Sequence, residues 1–182
     1  EDYSSKFAPH FTHVCTTDVF SVGNYRKLGI EPILTQWAAQ CAPGDTGQPA
    51  AAAYNYDVSF VGRRNNLRAW VIDRLRALGI AVSCFGDGWE AGKVSFAEMH
   101  GIFRRSRVNL NLSNSVSQDI RFLFGNPRNL VTYLRAVKRA EQIKARNFEI
   151  PLAGGFQLTN YVAGLERYFR IGEEVAVFSS PE

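Results

Sequence analysis

Short apolar runs recur from residue 57 onward, each closed by glycine or by polar residues. Runs of this kind predict buried β-strands. We place these strands at 57–62, 80–85, 107–112, 156–159 and 174–178.

Helical spacing fills the segments between these runs. One predicted helix covers 66–78, where a single face carries Leu67, Val71, Leu75 and Leu78. A second begins at Ser95, which forms a capping-box pattern with Glu98. Three more are predicted at 129–139, 143–153 and 162–169. Strands that alternate with helices predict an α/β fold with a doubly wound, mainly parallel, Rossmann-like sheet.

The first 42 residues follow a separate strand–helix–strand pattern. It predicts strands at 13–17 and 32–37, and a helix over 19–28 with Asp18 as its N-cap. Two strands do not make a stable sheet alone. A segment rich in proline, glycine and alanine at 43–55 predicts a linker, so that 56–182 forms the main domain.

The composition excludes several classes of protein. No apolar run reaches the roughly 20 residues of a membrane helix, and the first residues do not show the basic and then apolar pattern of a signal peptide. Because the chain begins at Glu1 without methionine, we expect it to be part of a longer protein. The net charge of +4 is too small to indicate nucleic-acid binding, which salt-dependent retention on DNA would test.

The cysteines and histidines number three each and are dispersed. This dispersion predicts neither a disulfide framework nor a metal site. Cys15 and Cys84 lie in apolar runs, so we expect both in the core. Free thiols favour a reducing compartment, and we expect a cytoplasmic location.

Ligands of doubly wound sheets bind at the carboxyl ends of the strands, and three loops there carry candidate chemistry. Gly62, Arg63 and Arg64 follow the first strand and suit a phosphate, although an ordinary helix start with exposed arginines explains them too. The loop 85–90 contains Gly86, Asp87, Gly88 and Trp89, and a tight turn is the alternative there. Glutamates at 141 and 149 enclose Lys144 and Arg146, a combination that suits sugar hydroxyls beside phosphates, although such glutamate pairs are common.

Three stretches make the chain resemble a known family. They are DVSFVGRRNNLRAWVIDRLRALGIAVSCFGDGW, VSFAEMHGIFRRSRVNLNLSNS and QIKARNFEIPLAGGFQLTNYVAGLERYFRIGEEVAVF. Together they resemble the CgeB-like glycosyltransferases of the group-1, GT-B-fold superfamily, over about residues 10–182. The resemblance implies that 56–182 is the nucleotide-sugar-binding half of a two-domain enzyme. Residues 1–42 would then be the tail of the acceptor domain.

The resemblance also implies roles for single residues. Glu149 would hold the ribose hydroxyls, while Glu141 would lie near the sugar and act with Lys144 in catalysis. The diphosphate would meet Lys144, Arg146 and Asn147, together with Arg63 or Arg64 beside Gly62. The loop from Gly86 through Asp87 and Gly88 to Trp89 would lie near the base. The donor pocket would be completed by Ser113 and Asn114.

We therefore expect a retaining, metal-independent glycosyltransferase that takes a nucleotide-diphosphate sugar as substrate and needs no cofactor. The acceptor is unknown, and this half alone is expected to be inactive. Exposed edges of the N-terminal strands predict self-association. The alternative is a non-catalytic Rossmann-like binding module that meets a partner through 113–140. Part of that stretch, 119–140, departs from the family pattern and is basic and aromatic. An NAD-linked oxidoreductase is disfavoured, because the G-x-G-x-x-G fingerprint is missing.

Overall fold

The computed structural model describes residues 6–40, 53–113, 117, 119–135 and 141–179. Contacts divide the chain into two compact units, one ending at Ala38 and the other beginning at Ala39. The linker at 43–55 stays a prediction, because residues 41–52 lie outside the described part.

The N-terminal unit contains a parallel pair of two-residue strands, β1 (Cys15–Thr16) and β2 (Ile33–Leu34). They are joined through a 3-10 turn (Val19–Ser21) and the helix α1 (Val22–Lys27). The Asp18 carboxylate caps the turn by accepting a hydrogen bond from the Phe20 amide at 3.1 Å. Cys15 is exposed, so its predicted place in a core was wrong. A two-residue strand in a two-stranded pair has little surface against which to bury a side chain.

The second unit is built on a five-stranded sheet in which all strands are parallel. The strands are β3 (Tyr56–Val61), β4 (Val82–Phe85), β5 (Ser106–Asn111), β6 (Gln157–Asn160) and β7 (Ala176–Phe178). Their spatial order is β4-β3-β5-β6-β7. The chain thus runs outward from β3 to β4 and then returns past β3 to β5. This reversal lies between β3 and β5, where a doubly wound sheet opens a ligand crevice.

The helices of this unit are α2 (Asn66–Ala77), α3 (Phe96–Arg104), α4 (Ile120–Gly125), α5 (Pro127–Arg135) and α6 (Arg146–Leu152). The side-chain oxygen of Asn65 caps α2 by accepting a hydrogen bond from the Arg68 amide at 2.9 Å. The predicted capping box of Ser95 and Glu98 starts α3. The α/β, doubly wound fold class is confirmed.

Three helix predictions need correction. The helix predicted over 129–139 begins two residues earlier, as α5, its last residues 136–139 lie outside the described part, and α4 precedes it at 120–125, where no helix was predicted. Pro127 begins α5, because a proline at the first helical position loses no hydrogen bond. The helix predicted over 143–153 begins three residues later, and the one at 162–169 is a 3-10 turn, Leu165–Arg167.

The two faces of the sheet differ in polarity. Phe60 and Leu110 pack with residues of α2 and α4 in one apolar cluster, whereas Val61 packs with α3 and α6 in another. The second face also buries Ser59 and Asn109, which are hydrogen bonded at 3.0 Å. Gly155 passes so close to this polar pair that an added Cβ would lie 2.7 Å from Asn109 Nδ2.

Within the described ranges, we find no helix with the length and apolar character that crossing a membrane requires.

Candidate functional site

The loops that follow β3 and β4 touch each other through their backbones. The Gly62 amide donates to the Phe85 carbonyl at 2.9 Å. Gly86 has a φ of 119°, and a Cβ there would lie 2.5 Å from the Gly62 carbonyl oxygen. Only glycine combines this φ with this approach. The predicted glycines at 62 and 86 therefore fix the two loops against each other.

Side chains of these two loops interact mainly with one another. Trp89 Nε1 donates to the Gly62 carbonyl at 2.9 Å, and the Arg64 guanidinium lies over the indole ring at 5.5 Å. Arg63 Nε lies 3.4 Å from an Asp87 carboxylate oxygen, and Lys93 approaches the same carboxylate at 4.0 Å. We call this set the β3–β4 cluster; it consists of Gly62, Arg63, Arg64, Gly86, Asp87, Gly88, Trp89 and Lys93.

A cavity of 510 Å³ adjoins the β3–β4 cluster on the side of edge strand β4. Arg64 and Trp89 line one part of it, and Asp73 and Arg76 of α2 line another. Arg76 donates a hydrogen bond to the Val82 carbonyl at 3.0 Å, so its side chain satisfies a backbone acceptor of this edge strand. Burial raises the pKa of the Cys84 thiol in this cavity to about 11, which keeps it protonated at neutral pH.

A second cluster lies beyond the ends of β5 and β6. The Asn160 side chain accepts a hydrogen bond from the Ser113 amide at 2.9 Å and donates one to the Glu141 carboxylate. Lys144 Nζ donates to the Ser113 carbonyl at 2.8 Å. Both polar atoms of the Ser113 peptide backbone are therefore fixed by side chains from other segments. We call these four residues, with Arg146, Asn147 and Glu149, the β5–β6 cluster.

The carboxyl of Glu141 has an unusually high pKa in this cluster. Burial raises the pKa of its carboxyl to about 7, against the opposing effect of the Lys144 ammonium. Glu141 therefore changes protonation near neutral pH, in the range where a carboxyl can exchange a proton during a reaction.

Two buried donors of the β5–β6 cluster lack acceptors among the described residues. Ser113 is 2% exposed and its Oγ has no hydrogen-bond partner there. Asn147 is fully buried, and its Nδ2 is likewise unpaired, although its Oδ1 accepts from the Lys144 amide at 3.1 Å. Unpaired buried polar groups are costly and rare, which makes them indicators of an absent partner.

Arg146 and Glu149 form a half-buried ion pair at 2.7 Å on α6. The guanidinium also contacts the Met99 sulfur and lies over the Phe103 ring at 5.3 Å. Burial lowers the pKa of Arg146, while Glu149 acts in the opposite direction. A ligand that makes the predicted contacts would therefore meet two side chains that are already paired with each other.

Arg68 was missed by the sequence analysis. Its Nε donates to the Leu112 carbonyl at 3.0 Å and its Nη1 to the Arg63 carbonyl at 2.7 Å, so it joins the β3–β4 cluster to the backbone just before Ser113. Burial lowers the pKa of Arg68, and the charge of Arg146 lowers it further. In the described part of the chain, no carboxylate forms an ion pair with Arg68. No sequence signal separates it from the other arginines of α2.

The predicted site residues thus fall into two sets. One set forms the β3–β4 cluster, and the other joins Ser113, Glu141, Lys144, Asn147 and the Arg146–Glu149 pair around the end of β5. Asn114 lies outside the described residues. Among those described, no group of three or more His, Cys, Asp and Glu side chains is arranged to hold a metal ion. The ligand roles assigned to single residues stay predictions.

Comparison with models of known families identifies the family of this chain. A family model described as glycosyl transferase-like, of the group-1 type, matches residues 63–182. The match covers more than half of the chain, and the chain belongs to this family. Membership implies glycosyl transfer, with a sugar donor and an acceptor. No curated protein and no solved structure matches the chain.

Proposed function

We propose that this chain is the donor-binding half of a glycosyltransferase that takes its sugar from a nucleotide diphosphate. The donor would bind at the reversal point between β3 and β5, with its diphosphate at the β5–β6 cluster. In finer detail, we propose a retaining reaction that needs no metal ion, and a CgeB-like specificity.

The observation that carries the proposal is an excess of positive charge and hydrogen-bond donors at one strand edge. Burial lowers the pKa of both Arg68 and Arg146, the charge of Arg146 lowers the pKa of Arg68 further, and the carboxylate paired with Arg146 is Glu149. Lys144 adds a third cation, and Ser113 Oγ and Asn147 Nδ2 add unused donors. A diphosphate supplies the negative charge and the acceptor oxygens that this arrangement lacks.

The same arrangement suits the chemistry. Breaking a bond between a sugar and a diphosphate leaves negative charge on the departing oxygen. Cations fixed in a partly buried site stabilise that charge without rearranging during the reaction. Lys144, Arg68 and Arg146 are therefore the proposed stabilisers, while Glu141 would lie beside the sugar.

Calorimetry with a panel of UDP-, GDP- and ADP-sugars tests the proposal. We expect heat and a thermal shift with at least one class of nucleotide, and competition by the matching nucleoside diphosphate. Absence of both signals for every nucleotide would overturn it. Sugar transfer by a longer form of the protein would then separate an enzyme from a binding module.

The role of Glu149 needs a control, because the residue also pairs with Arg146. If its carboxylate holds the ribose, Glu149→Ala weakens nucleoside diphosphate binding roughly tenfold to a hundredfold, the cost of a hydrogen bond to a charged group. Inorganic pyrophosphate has no ribose, so its affinity would change less. Equal losses for both ligands would assign Glu149 to fixing Arg146 instead.

A second candidate function rests on the surface of α4 and α5. Four large apolar side chains are exposed there, Ile120, Phe124, Val131 and Leu134. Arg128 and Arg135 are exposed beside them. Such a patch favours a binding module that meets a partner through this region. Replacing Phe124 and Leu134 by serine would abolish partner capture under this alternative and leave nucleotide binding intact under the first.

A further inference from the structure

Glu141 is not placed by the helix that carries Glu149. That helix, α6, begins at Arg146, and residues 141–144 have no regular structure. The backbone therefore does not set the distance between the two glutamates, as one continuous helix would. Another contact has to hold Glu141 at the strand edge.

Asn160 supplies that contact. It is the last residue of β6, so the sheet fixes its backbone beside the end of β5. One end of its amide accepts from the Ser113 amide, and the other end donates to the Glu141 carboxylate. The two partners need opposite ends of the amide, which selects one orientation of the side chain.

We propose that Asn160 is a positioning residue that holds the Glu141 carboxylate against the Ser113 backbone at the donor edge. The inference rests on the proposed function, since the edge matters because a donor sugar binds there. Asparagine has the right length and carries both a donor and an acceptor. Aspartate at this position lacks the donor, and leucine lacks both.

The contact also ties Glu141 to the diphosphate side of the site. Ser113 is held from its amide by Asn160 and from its carbonyl by Lys144. Lys144 is the charged group that acts on Glu141, while Asn160 and Ser113 face the cluster with neutral groups. A change at Asn160 therefore reaches Glu141 first and Lys144 through Ser113.

The wild-type protein provides the first test. The NMR chemical shifts of the Glu141 carboxyl and of the Asn160 side-chain amide would change together with pH, with a common midpoint near the pKa of about 7. Glu141→Gln would abolish the titration of the Asn160 amide. An Asn160 amide that ignores the protonation of Glu141 overturns the proposal, and no variant has to fold for that result.

Asn160→Asp is the sharper variant. It keeps the acceptor for Ser113 but turns an oxygen toward Glu141, so repulsion raises the midpoint of the paired carboxyls by at least about one pH unit. Nucleoside diphosphate affinity falls at least about threefold as the cluster loosens. The double variant Asn160→Asp with Glu141→Gln restores a hydrogen bond of reversed direction and recovers the affinity. An unmoved midpoint in a folded Asn160→Asp protein overturns the proposal.

The titration uses no ligand, so its outcome is separate from that of the proposed function. A moved midpoint without any nucleotide binding supports the positioning role and contradicts the donor site. Nucleotide binding by the wild type, with titration and affinity unchanged in Asn160→Asp, supports the donor site and overturns the positioning role.

Discussion

The β3–β4 cluster and the β5–β6 cluster lie at the same edge of the sheet but differ in how their polar groups are used. In the first, Asp87 lies between Arg63 and Lys93, and the indole of Trp89 is satisfied by a carbonyl. In the second, two buried donors are unpaired within the described part. The indole donor of the first cluster is thus paired within the cluster, whereas two buried donors of the second have no acceptor among the described residues.

The difference teaches where a ligand is needed. Groups that satisfy one another stabilise loops, and a ligand has to displace those contacts. Groups without partners have already been removed from water on folding, at a cost in free energy. They gain hydrogen bonds when a ligand binds, and the ligand displaces no existing contact. Exposed arginines next to a strand end are therefore a weaker sign of a phosphate site than Arg68 and Arg146, which are half-buried and lie within reach of each other's charge.

The largest expected effect comes from disrupting the contact between the two loops of the β3–β4 cluster. Gly86→Ala combines an unfavourable φ with a Cβ 2.5 Å from the Gly62 carbonyl oxygen, and we expect a loss of about 3 kcal/mol or more in the free energy of unfolding. Gly125→Ala is the control, because it has open space around it and should change stability by less than about 1 kcal/mol. Chemical denaturation measures both. Equal stabilities would mean that the two loops do not touch as described.

Removing one lysine from each cluster compares the two directly. Lys144→Ala should weaken nucleoside diphosphate binding roughly tenfold to a hundredfold, because a charge-assisted contact is lost. Lys93→Ala removes the same charge from the β3–β4 cluster, where Lys93 is exposed, and should leave affinity nearly unchanged. Calorimetry gives both values. Similar losses would show that general charge, and not position, governs binding.

Glu141 makes stability depend on pH. Its pKa is raised from 4.5 in the unfolded chain to about 7 in the fold, so the folded state holds its proton more tightly. The stabilising effect is complete below about pH 4.5 and is lost as the pH rises through 7. Glu141→Gln should therefore gain on the order of 1–2 kcal/mol relative to wild type between pH 5 and pH 8, after allowance for partial exposure.

Denaturation curves at several pH values test this dependence. Glu173→Gln is the control, since Glu173 is exposed and pairs with Arg170 at the surface. Its stability should run parallel to that of the wild type. If Glu141→Gln also runs parallel, the Glu141 carboxyl is not held in a buried setting.

Periodicity predicted most of the sheet. The five strands of the main unit lie within two residues of their predicted bounds, because apolar runs closed by glycine carry a local signal. The helices of 120–135 were harder. Their division depends on Asn126, Pro127 and Asn129. Asn129 is buried, and its side chain donates to the Phe122 carbonyl of α4 and accepts from Asn66 of α2. Such contacts between distant segments have no local pattern.

The sequence nominated candidate residues, and the structure shows which of them lie together. Glu141 and Lys144 do come together with Ser113, which lies 31 residues before Lys144 in the sequence. Arg68 and Asn160 were missed. Each acts through carbonyls, amides or a carboxylate of other strands, and a single sequence does not show which arginine of a helix or which asparagine of a strand has those neighbours.

Trp89 gives the smallest expected effect and the finest distinction between the clusters. Trp89→Phe removes the hydrogen bond to the Gly62 carbonyl but keeps an aromatic ring near Phe60, so stability should fall by about 1 kcal/mol. If the β3–β4 cluster only stabilises loops, nucleoside diphosphate affinity changes less than about twofold. If the base stacks beside Trp89, as the family resemblance implies, affinity falls further while pyrophosphate affinity does not. Calorimetry with both ligands on a folded Trp89→Phe protein decides whether this cluster contacts the donor.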